Sequence, residues 1–104
     1  MVTLFKLKCY TLLKKVPSGR VTTYKDLAKA MHLKPLASRA VGNAMALNPF
    51  APEVPCHRVV KSNGKIGNYS AQGGIKAKIK LLELEGIKIE GNKIKEFEKV
   101  LFRF

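Results

Sequence analysis

The sequence predicts a mainly α (α+β) fold, a winged helix-turn-helix with small β-hairpins, in a single domain over residues 1–104. Two local patterns support this: apolar residues recur at helical spacing in several segments, and Asn-Gly or Gly-Asn pairs separate short β-branched runs. A chain of 104 residues also has room for one domain, which is long enough to bury a core. No internal repeat or linker divides it.

The first half of the chain predicts three helices. The first covers residue 2 to about residue 15 and is stopped by Pro17-Ser18-Gly19. After an extended segment at 20–22, Thr23 and Asp26 have capping-box spacing and open a short second helix. The third helix is predicted over 36–47. Two short helices joined by a tight turn form a helix-turn-helix, so the third helix would be the one that enters a groove of DNA.

The second half predicts two hairpins on either side of a helix. Residues 58–61 and 65–66 flank Ser62-Asn63-Gly64, a hairpin signal at the position of a wing. A helix is predicted over 75–85, and Gly86 ends it. Residues 87–89 and 93–94 then form the second hairpin.

Charge is the most informative bulk property. The chain has 20 Lys and Arg against 7 Asp and Glu, for a net charge of +13. Such an excess favours a polyanionic partner, with nucleic acid first. The alternative is a lysine-rich solvated surface of a thermophile protein, but the matching acidic residues are missing. No apolar run has the length of a membrane span and residues 1–6 lack the order of a signal peptide, so we expect a cytoplasmic protein without a membrane partner.

Cys56 and His57 carry the main chemical signal. Only a thiolate attacks, and a neighbouring imidazole with a basic surround favours its formation. The alternative is an inert, buried cysteine, which is how we interpret Cys9. Adjacent side chains diverge in an extended backbone, so His57 could act on the thiol only through a water or in a tight turn. The spacing of the cysteines and histidines does not fit a zinc site, and we expect no cofactor.

Two charged residues stand out beside this pair. The outward face of the third helix would present Ser38, Arg39, Gly42 and Asn43, so that Arg39 protrudes among small residues. It would be either a phosphate contact or a residue with a special role. Glu85 lies at a helix C-terminus, where the dipole disfavours negative charge, which suggests that it holds a partner.

The string Pro55-Cys56-His57-Arg58-Val59-Val60 resembles the active-site signature of the O6-alkylguanine-DNA alkyltransferases, the methylated-DNA-protein-cysteine methyltransferases. The resemblance spans nearly the whole chain and looks like the catalytic C-terminal domain of that family. Further blocks follow in family order: residues 16–21 with Tyr24, residues 38–45 with Asn48-Pro49, residues 67–70 and residues 81–86.

This resemblance implies a monomeric DNA-repair protein that acts on double-stranded DNA carrying O6-alkylguanine. Each protein molecule would react only once. Cys56 would take the alkyl group, His57 would polarise the thiol through water, and Glu85 would orient His57. A thiol cannot reach a base inside a stacked duplex, so the nucleotide must flip, and Arg39 would fill the gap. The remaining implied contacts to guanine or its pocket come from Tyr24 with Lys78, the backbone of Val59 and Ser70, and the side chains of Tyr69, Met45 and Asn48.

The sequence also departs from the family pattern. Glu53 stands where an apolar residue is usual, and Ala71-Gln72 look like extra residues in the pocket loop. The alternative function is that of a non-catalytic, alkyltransferase-like lesion-binding protein. Those relatives lack the reactive cysteine, so the presence of Cys56 argues against this alternative.

Overall fold

The computed structural model describes residues 3–34, 37–51, 53–67, 69 and 73–104. Within these ranges helices and short strands alternate along the chain. In chain order they are α1 Leu4–Leu13, β1 Thr22–Thr23, α2 Tyr24–Ala30, α3 Ser38–Ala46, a 3-10 helix Cys56–Arg58, β2 Val59–Val60, α4 Gly74–Leu84, β3 Ile89–Glu90, β4 Lys93–Ile94 and α5 Phe97–Val100.

Helix α1 is shorter than the predicted helix. It begins after Thr3, whose hydroxyl accepts the Lys6 N–H at 3.2 Å. It ends at Leu13 because the following N–H groups bond three residues back: Lys15 donates to Leu12 and Val16 to Leu13, each at 3.0 Å. This tightened turn satisfies the last carbonyls of the helix.

The helix-turn-helix is formed by α2 and α3. Thr23 caps α2 as predicted, because its hydroxyl accepts the Asp26 N–H at 2.9 Å. Helix α3 runs over Ser38–Ala46 with Leu47 as its C-cap, and the predicted start at Leu36 lies outside the described residues. Val41, Ala44 and Met45 form the buried face of α3. Together with the small sheets, these helices confirm the predicted α+β winged-helix class.

The predicted first hairpin is confirmed only at its turn. Across residues 61–65, Gly64 N–H donates to Lys61 O and Lys61 N–H donates to Lys65 O, each at 2.9 Å. Strand β2, however, pairs in parallel with β1, and Lys65 instead bridges to Lys93. The physical reason is burial: Val59 and Val60 are both fully buried. They therefore need a strand partner inside the domain rather than in a surface hairpin.

The predicted second hairpin is confirmed. Strands β3 and β4 are antiparallel, with Ile89 opposite Ile94 and Glu90 opposite Lys93. This hairpin, α4 and α5 enclose one apolar cluster, while α1, α2 and α3 enclose another. Val59 belongs to the helical cluster and Val60 to the hairpin cluster, because successive side chains of a strand point to opposite faces. The segment after Cys56 therefore lies where the two clusters meet.

None of the helices within the described ranges is long and apolar enough to cross a membrane.

We expect Thr23→Val to lower the free energy of unfolding by about 1 kcal/mol, because it keeps the side-chain volume but removes a cap at a buried site. Thr3→Val is the matched control, since Thr3 caps α1 at an exposed site and with a longer bond. Urea unfolding of both variants measures the difference. Equal losses in the two variants would show that burial of the Thr23 cap has no importance.

Candidate active site

Cys56 lies at the start of a tight turn. Pro55 has φ −81° and ψ 66°, and the Cys56 N–H donates to Val54 O at 2.8 Å, which together define an inverse γ-turn. The 3-10 helix Cys56–Arg58 follows directly, so the backbone is not extended here. Asn48 braces the same segment, because its side-chain amide donates to Val54 O at 3.0 Å. The chain thus has the tight turn that a Cys-His pair requires.

A pocket of about 590 Å³ opens beside Cys56. Its volume is in the range of small-molecule sites, about 300–1,000 Å³. Cys56 forms part of the wall and is only 5% exposed. The lining comes from α2, α3, the cysteine turn and the following loop: Tyr24, Ser38, Arg39, Gly42, Met45, Ala46, Cys56, Lys61, Gly67 and Tyr69.

Two tyrosines supply hydroxyl groups to this pocket. Burial, and then the charge of a Cys56 thiolate, raise the pKa of Tyr24. The same two causes, with a hydrogen bond to Cys56, raise the pKa of Tyr69. Both phenols therefore keep their protons at neutral pH and can donate to a ligand.

Gly67 allows three side chains to converge at the floor of the pocket. It has φ +78°, and a Cβ there would lie 3.5 Å from Tyr24 Oη, 3.6 Å from Lys61 Cγ and 3.8 Å from Lys78 Nζ. Glycine is favoured because the left-handed conformation strains other residues. Tyr24 and Lys78, which the sequence predicts to act together, thus meet at one place.

Lys78 is fully buried beneath the pocket. Its ammonium group donates to Val59 O at 2.8 Å and to Ile66 O at 2.6 Å. Burial lowers the pKa of Lys78 to about 8, against an opposing effect from the charge of Cys56. The Val59 carbonyl, predicted to accept from guanine, therefore already accepts from Lys78. A carbonyl oxygen has two lone pairs, so it can still take one further donor.

Behind the cysteine turn, His57 lies against Glu85. His57 Nε2 is 3.0 Å from Glu85 Oε2. Arg58 donates two hydrogen bonds to the same carboxylate, from Nε to Oε1 at 2.9 Å and from Nη2 to Oε2 at 2.6 Å. Its third nitrogen, Nη1, donates to Val16 O at 2.8 Å. His57 Nδ1 is buried and has no hydrogen-bond partner within the described part of the chain.

The electrostatics of this cluster set the proton positions. Burial raises the pKa of Glu85, but hydrogen bonds from Arg58 and His57 outweigh it, and the net pKa is lowered. Burial lowers the pKa of His57, Glu85 opposes this, and the charges of Arg58 and Lys78 add to the lowering. At neutral pH Glu85 is therefore ionised and His57 neutral. Nε2 then carries the ring proton, and Nδ1 is an unprotonated base.

Helix α3 brings three of the four predicted DNA-contacting residues to the pocket. Ser38, Arg39 and Gly42 line the pocket, and Arg39 is exposed. Asn43 is also exposed on α3 but is not part of the pocket lining.

Most of the predicted site residues therefore lie around one centre. Cys56, Tyr24, Tyr69 and Met45 line the pocket, whereas His57, Glu85, Lys78, Val59 and Asn48 support it from behind or below. Ser70 and the two residues Ala71-Gln72 lie outside the described residues. Glu53 is exposed, so its charge does not disturb the packing beneath the turn.

Sequence reasoning missed Lys61, Gly67 and the role of Arg58. A signal for Arg58 was available, because a carboxylate at the C-terminus of a helix needs a cation, and Arg58 directly follows the histidine assigned to Glu85. Both cysteines are free thiols, and Cys9 is buried in the helical cluster. The described residues contain no group of three or more His, Cys, Asp or Glu that could hold a metal ion.

Comparison with known proteins points to one family. Residues 4–87 match the family model described as 6-O-methylguanine DNA methyltransferase, DNA binding domain. A methylated-DNA–protein-cysteine methyltransferase from Thermococcus kodakarensis is 53% identical over 88 residues, which are 84% of this chain and 47% of that protein. A bifunctional methyltransferase/endonuclease from Thermoplasma volcanium is 40% identical over 94 residues, or 90% of this chain and 29% of that protein.

The chain thus spans about half, or less, of these two relatives. A solved structure of similar length also matches. It is S. pombe Atl1 in complex with damaged DNA containing O6-carboxymethylguanine, with a TM-score of 0.83 at 29% identity, and the match covers 96% of this chain and 95% of that one. The matching family model is one of a DNA-binding domain, whereas the sequence predicts a catalytic domain.

In the wild-type protein we expect the free energy of unfolding to rise with pH above about 8, and we expect Lys78→Met to abolish this rise. The pKa of Lys78 is about 8 in the folded protein, against an ordinary 10.5, so between these values the unfolded state holds more protons. The free energy of unfolding should therefore rise with pH across this window, by an amount on the order of 2 kcal/mol. Urea unfolding at several pH values measures the difference between wild type and variant.

Lys80→Met serves as the matched control, because Lys80 is an exposed lysine on the same helix. It removes the same charge and should leave the pH dependence unchanged. A Lys78→Met protein whose stability follows that of the wild type from pH 8 upward would contradict the lowered pKa of Lys78.

Proposed function

Because the chain belongs to the family of the 6-O-methylguanine DNA methyltransferase DNA-binding domain, we propose that it repairs DNA by taking an alkyl group from O6 of guanine onto Cys56. The observation that carries this proposal is the position of Cys56 in the wall of a pocket that opens beside α3. A flipped base can enter such a pocket, whereas a thiol cannot reach a base in a stacked duplex. We propose further that the chain is a single catalytic domain that acts as a monomer.

The first step is activation of the thiol. Among the described residues His57 Nδ1 has no hydrogen-bond partner, and it lies in the same tight turn as Cys56, so a water can bridge the two groups. The thiol proton passes to His57, and Glu85 stabilises the imidazolium ion through Nε2. This arrangement follows the general logic in which a nucleophile is paired with an oriented base.

The second step is the displacement itself. The sulfur of Cys56 forms a bond to the alkyl carbon as the bond between that carbon and O6 breaks. The electron pair stays with guanine, which gains a proton at a ring nitrogen from Tyr24. The ammonium group of Lys78, which like the Tyr24 hydroxyl lies beside Gly67, then returns a proton to Tyr24. The product is a thioether on Cys56, so each molecule reacts once.

The DNA partner is held by charge and by α3. The net charge of +13 favours a polyanion, and binding should weaken with salt as counterions are released. Ser38, Gly42 and Asn43 allow close approach of the helix to the duplex, and Arg39 fills the space left by the flipped nucleotide. A cytoplasmic location also belongs to the proposal, since a reducing compartment keeps Cys56 a thiol.

A second function is lesion binding without transfer. Atl1 was solved in complex with damaged DNA, and its similarity over nearly the full length of both chains favours the lesion-binding part of this function. The buried thiol of Cys56 at the pocket wall favours transfer instead. Binding and transfer are separable by experiment, because Cys56→Ala removes the nucleophile and leaves the other lining residues in place.

Incubation with a duplex that contains O6-methylguanine should replace one hydrogen by one methyl group on the peptide that holds Cys56. Mass spectrometry of a digest measures this, and a second addition of substrate should give no further product. Cys56→Ala should lose transfer and keep affinity for the damaged duplex. Cys9→Ala is the matched control and should still react, since Cys9 lies in the core away from the pocket. A folded, reduced wild-type protein that stays unmodified would favour the lesion-binding function.

Arg39→Ala should slow transfer on duplex DNA about tenfold, as expected when about 1.4 kcal/mol of compensation for unstacking is lost. Transfer on single-stranded DNA should change much less, because no gap has to be filled. Single-turnover rates on the two substrates test this. Arg20→Ala removes the same charge from an exposed position outside the pocket lining and should affect both substrates alike. An equal loss on both substrates for Arg39→Ala would refute the gap-filling role.

A further inference from the structure

Arg58 joins three parts of the molecule behind the cysteine. Its guanidinium donates to both oxygens of Glu85, after α4, and to the carbonyl of Val16, after α1. Arg58 itself belongs to the 3-10 helix that carries Cys56 and His57. The side chains of Arg58 and Glu85 are only 17% and 14% exposed, so water competes little for these bonds. Nothing in the sequence-based mechanism uses this residue.

We infer that Arg58 is a positioning residue, which holds the Glu85 carboxylate on Nε2 of His57 and so keeps Nδ1 of His57 as the base for Cys56. This inference rests on the proposed function, in which His57 takes the thiol proton. Arg58 is not among the residues that line the pocket, and its side-chain bonds go to Glu85 and Val16. It acts through Glu85 and then through His57.

The geometry of the carboxylate supports this role. A planar guanidinium with two parallel bonds fixes both the position and the rotation of a carboxylate, which a single bond to His57 cannot do. Glu85 is also the C-cap of α4, where the dipole of the helix repels negative charge. Arg58 offsets this repulsion and the cost of partial burial.

The charges around His57 determine the effect of removing Arg58. His57 is acted on by Glu85 from the end of α4, Lys78 from within α4 and Arg58 from its own turn. Without Arg58, one of the two cations that lower the pKa of His57 is gone. The hydrogen bonds from Arg58 that lower the pKa of Glu85 are gone as well, so burial raises that pKa. Both changes make the His57–Glu85 pair bind a proton at higher pH. His57 then carries protons on both nitrogens and cannot accept one from Cys56.

Nitrogen NMR of histidine-labelled protein tests the inference without any DNA. In Arg58→Met, the midpoint of the His57 titration should rise by roughly one pH unit, as expected for loss of a close charge. His32, the only other histidine, is exposed and serves as the internal reference in the same spectra. Arg58→Lys keeps the positive charge but cannot make two parallel bonds to Glu85, so the His57 midpoint should rise by less. This variant also tests the inference if Arg58→Met does not fold.

Two control variants separate positioning from a general loss of structure. Lys95→Met removes a cation from the exposed pair with Glu90, whose atoms are 3.2 Å apart. Ile94→Ala removes buried volume from the hairpin cluster and lowers stability away from His57. Neither variant should shift the His57 midpoint. A His57 midpoint that moves no further in either Arg58 variant than in these controls would overturn the inference.

The pH profile of alkyl transfer gives the second readout. If Arg58 positions the base, the acid limb of the rate should move to higher pH in Arg58→Lys by the same amount as the His57 midpoint. A rate that falls equally at all pH values would indicate a structural role and overturn the inference. Absence of transfer in every protein, wild type included, would overturn the proposed function, whereas the NMR midpoints would still decide the role of Arg58.

Discussion

The position of Cys56 depends on a parallel pairing of only two residues in each strand. Val59 and Val60 pair with Thr22 and Thr23, and each valine enters a different apolar cluster. A slip of one residue would exchange the two faces of the strand, so both clusters together fix the register. Because Cys56 is only three residues before Val59, the same pairing also restricts where Cys56 can lie relative to α3. Thr23 also caps α2, so the pairing orients Tyr24 as well.

The buried charges behind the pocket form a second constraint. An excess of cations makes a buried lysine costly, yet Lys78 is fully buried and is held by the carbonyls of Val59 and Ile66. Burial of polar groups is tolerated where each finds a partner. The bond from Lys78 to Val59 O connects α4 to the strand after the cysteine turn. The bond between Glu85 and His57 connects the end of α4 to the turn itself. Helix α4 thus supports both sides of the site, although it contributes no residue to the pocket lining.

The sequence was sufficient for local features and insufficient for those decided by tertiary pairing. The cap at Thr23, the helix-turn-helix and the second hairpin follow from local spacing, and the structure contains all three. The first hairpin forms only at its turn, because the signal at Asn63-Gly64 does not reveal that Val59 and Val60 will pair with β1. The pairing of Glu85 with His57 could be inferred from the helix dipole and the resemblance. The same dipole argument indicated a cation near Glu85, but the two bonds from Arg58 to both carboxylate oxygens could not be inferred, because they depend on how the 3-10 helix turns toward α4.

The difference between binding a lesion and repairing it lies in local chemistry rather than in the fold. Atl1, solved in complex with damaged DNA, shares nearly the full length of this fold, and a protein named a methyltransferase matches most of this chain. A common fold therefore does not decide whether transfer occurs. Transfer needs a nucleophile with an oriented base, and in the proposed reaction that base is His57 Nδ1, a buried nitrogen without a hydrogen-bond partner among the described residues. Such a nitrogen costs free energy unless a water or a reacting group supplies the missing bond. The cost is understandable where that nitrogen has a proton to accept.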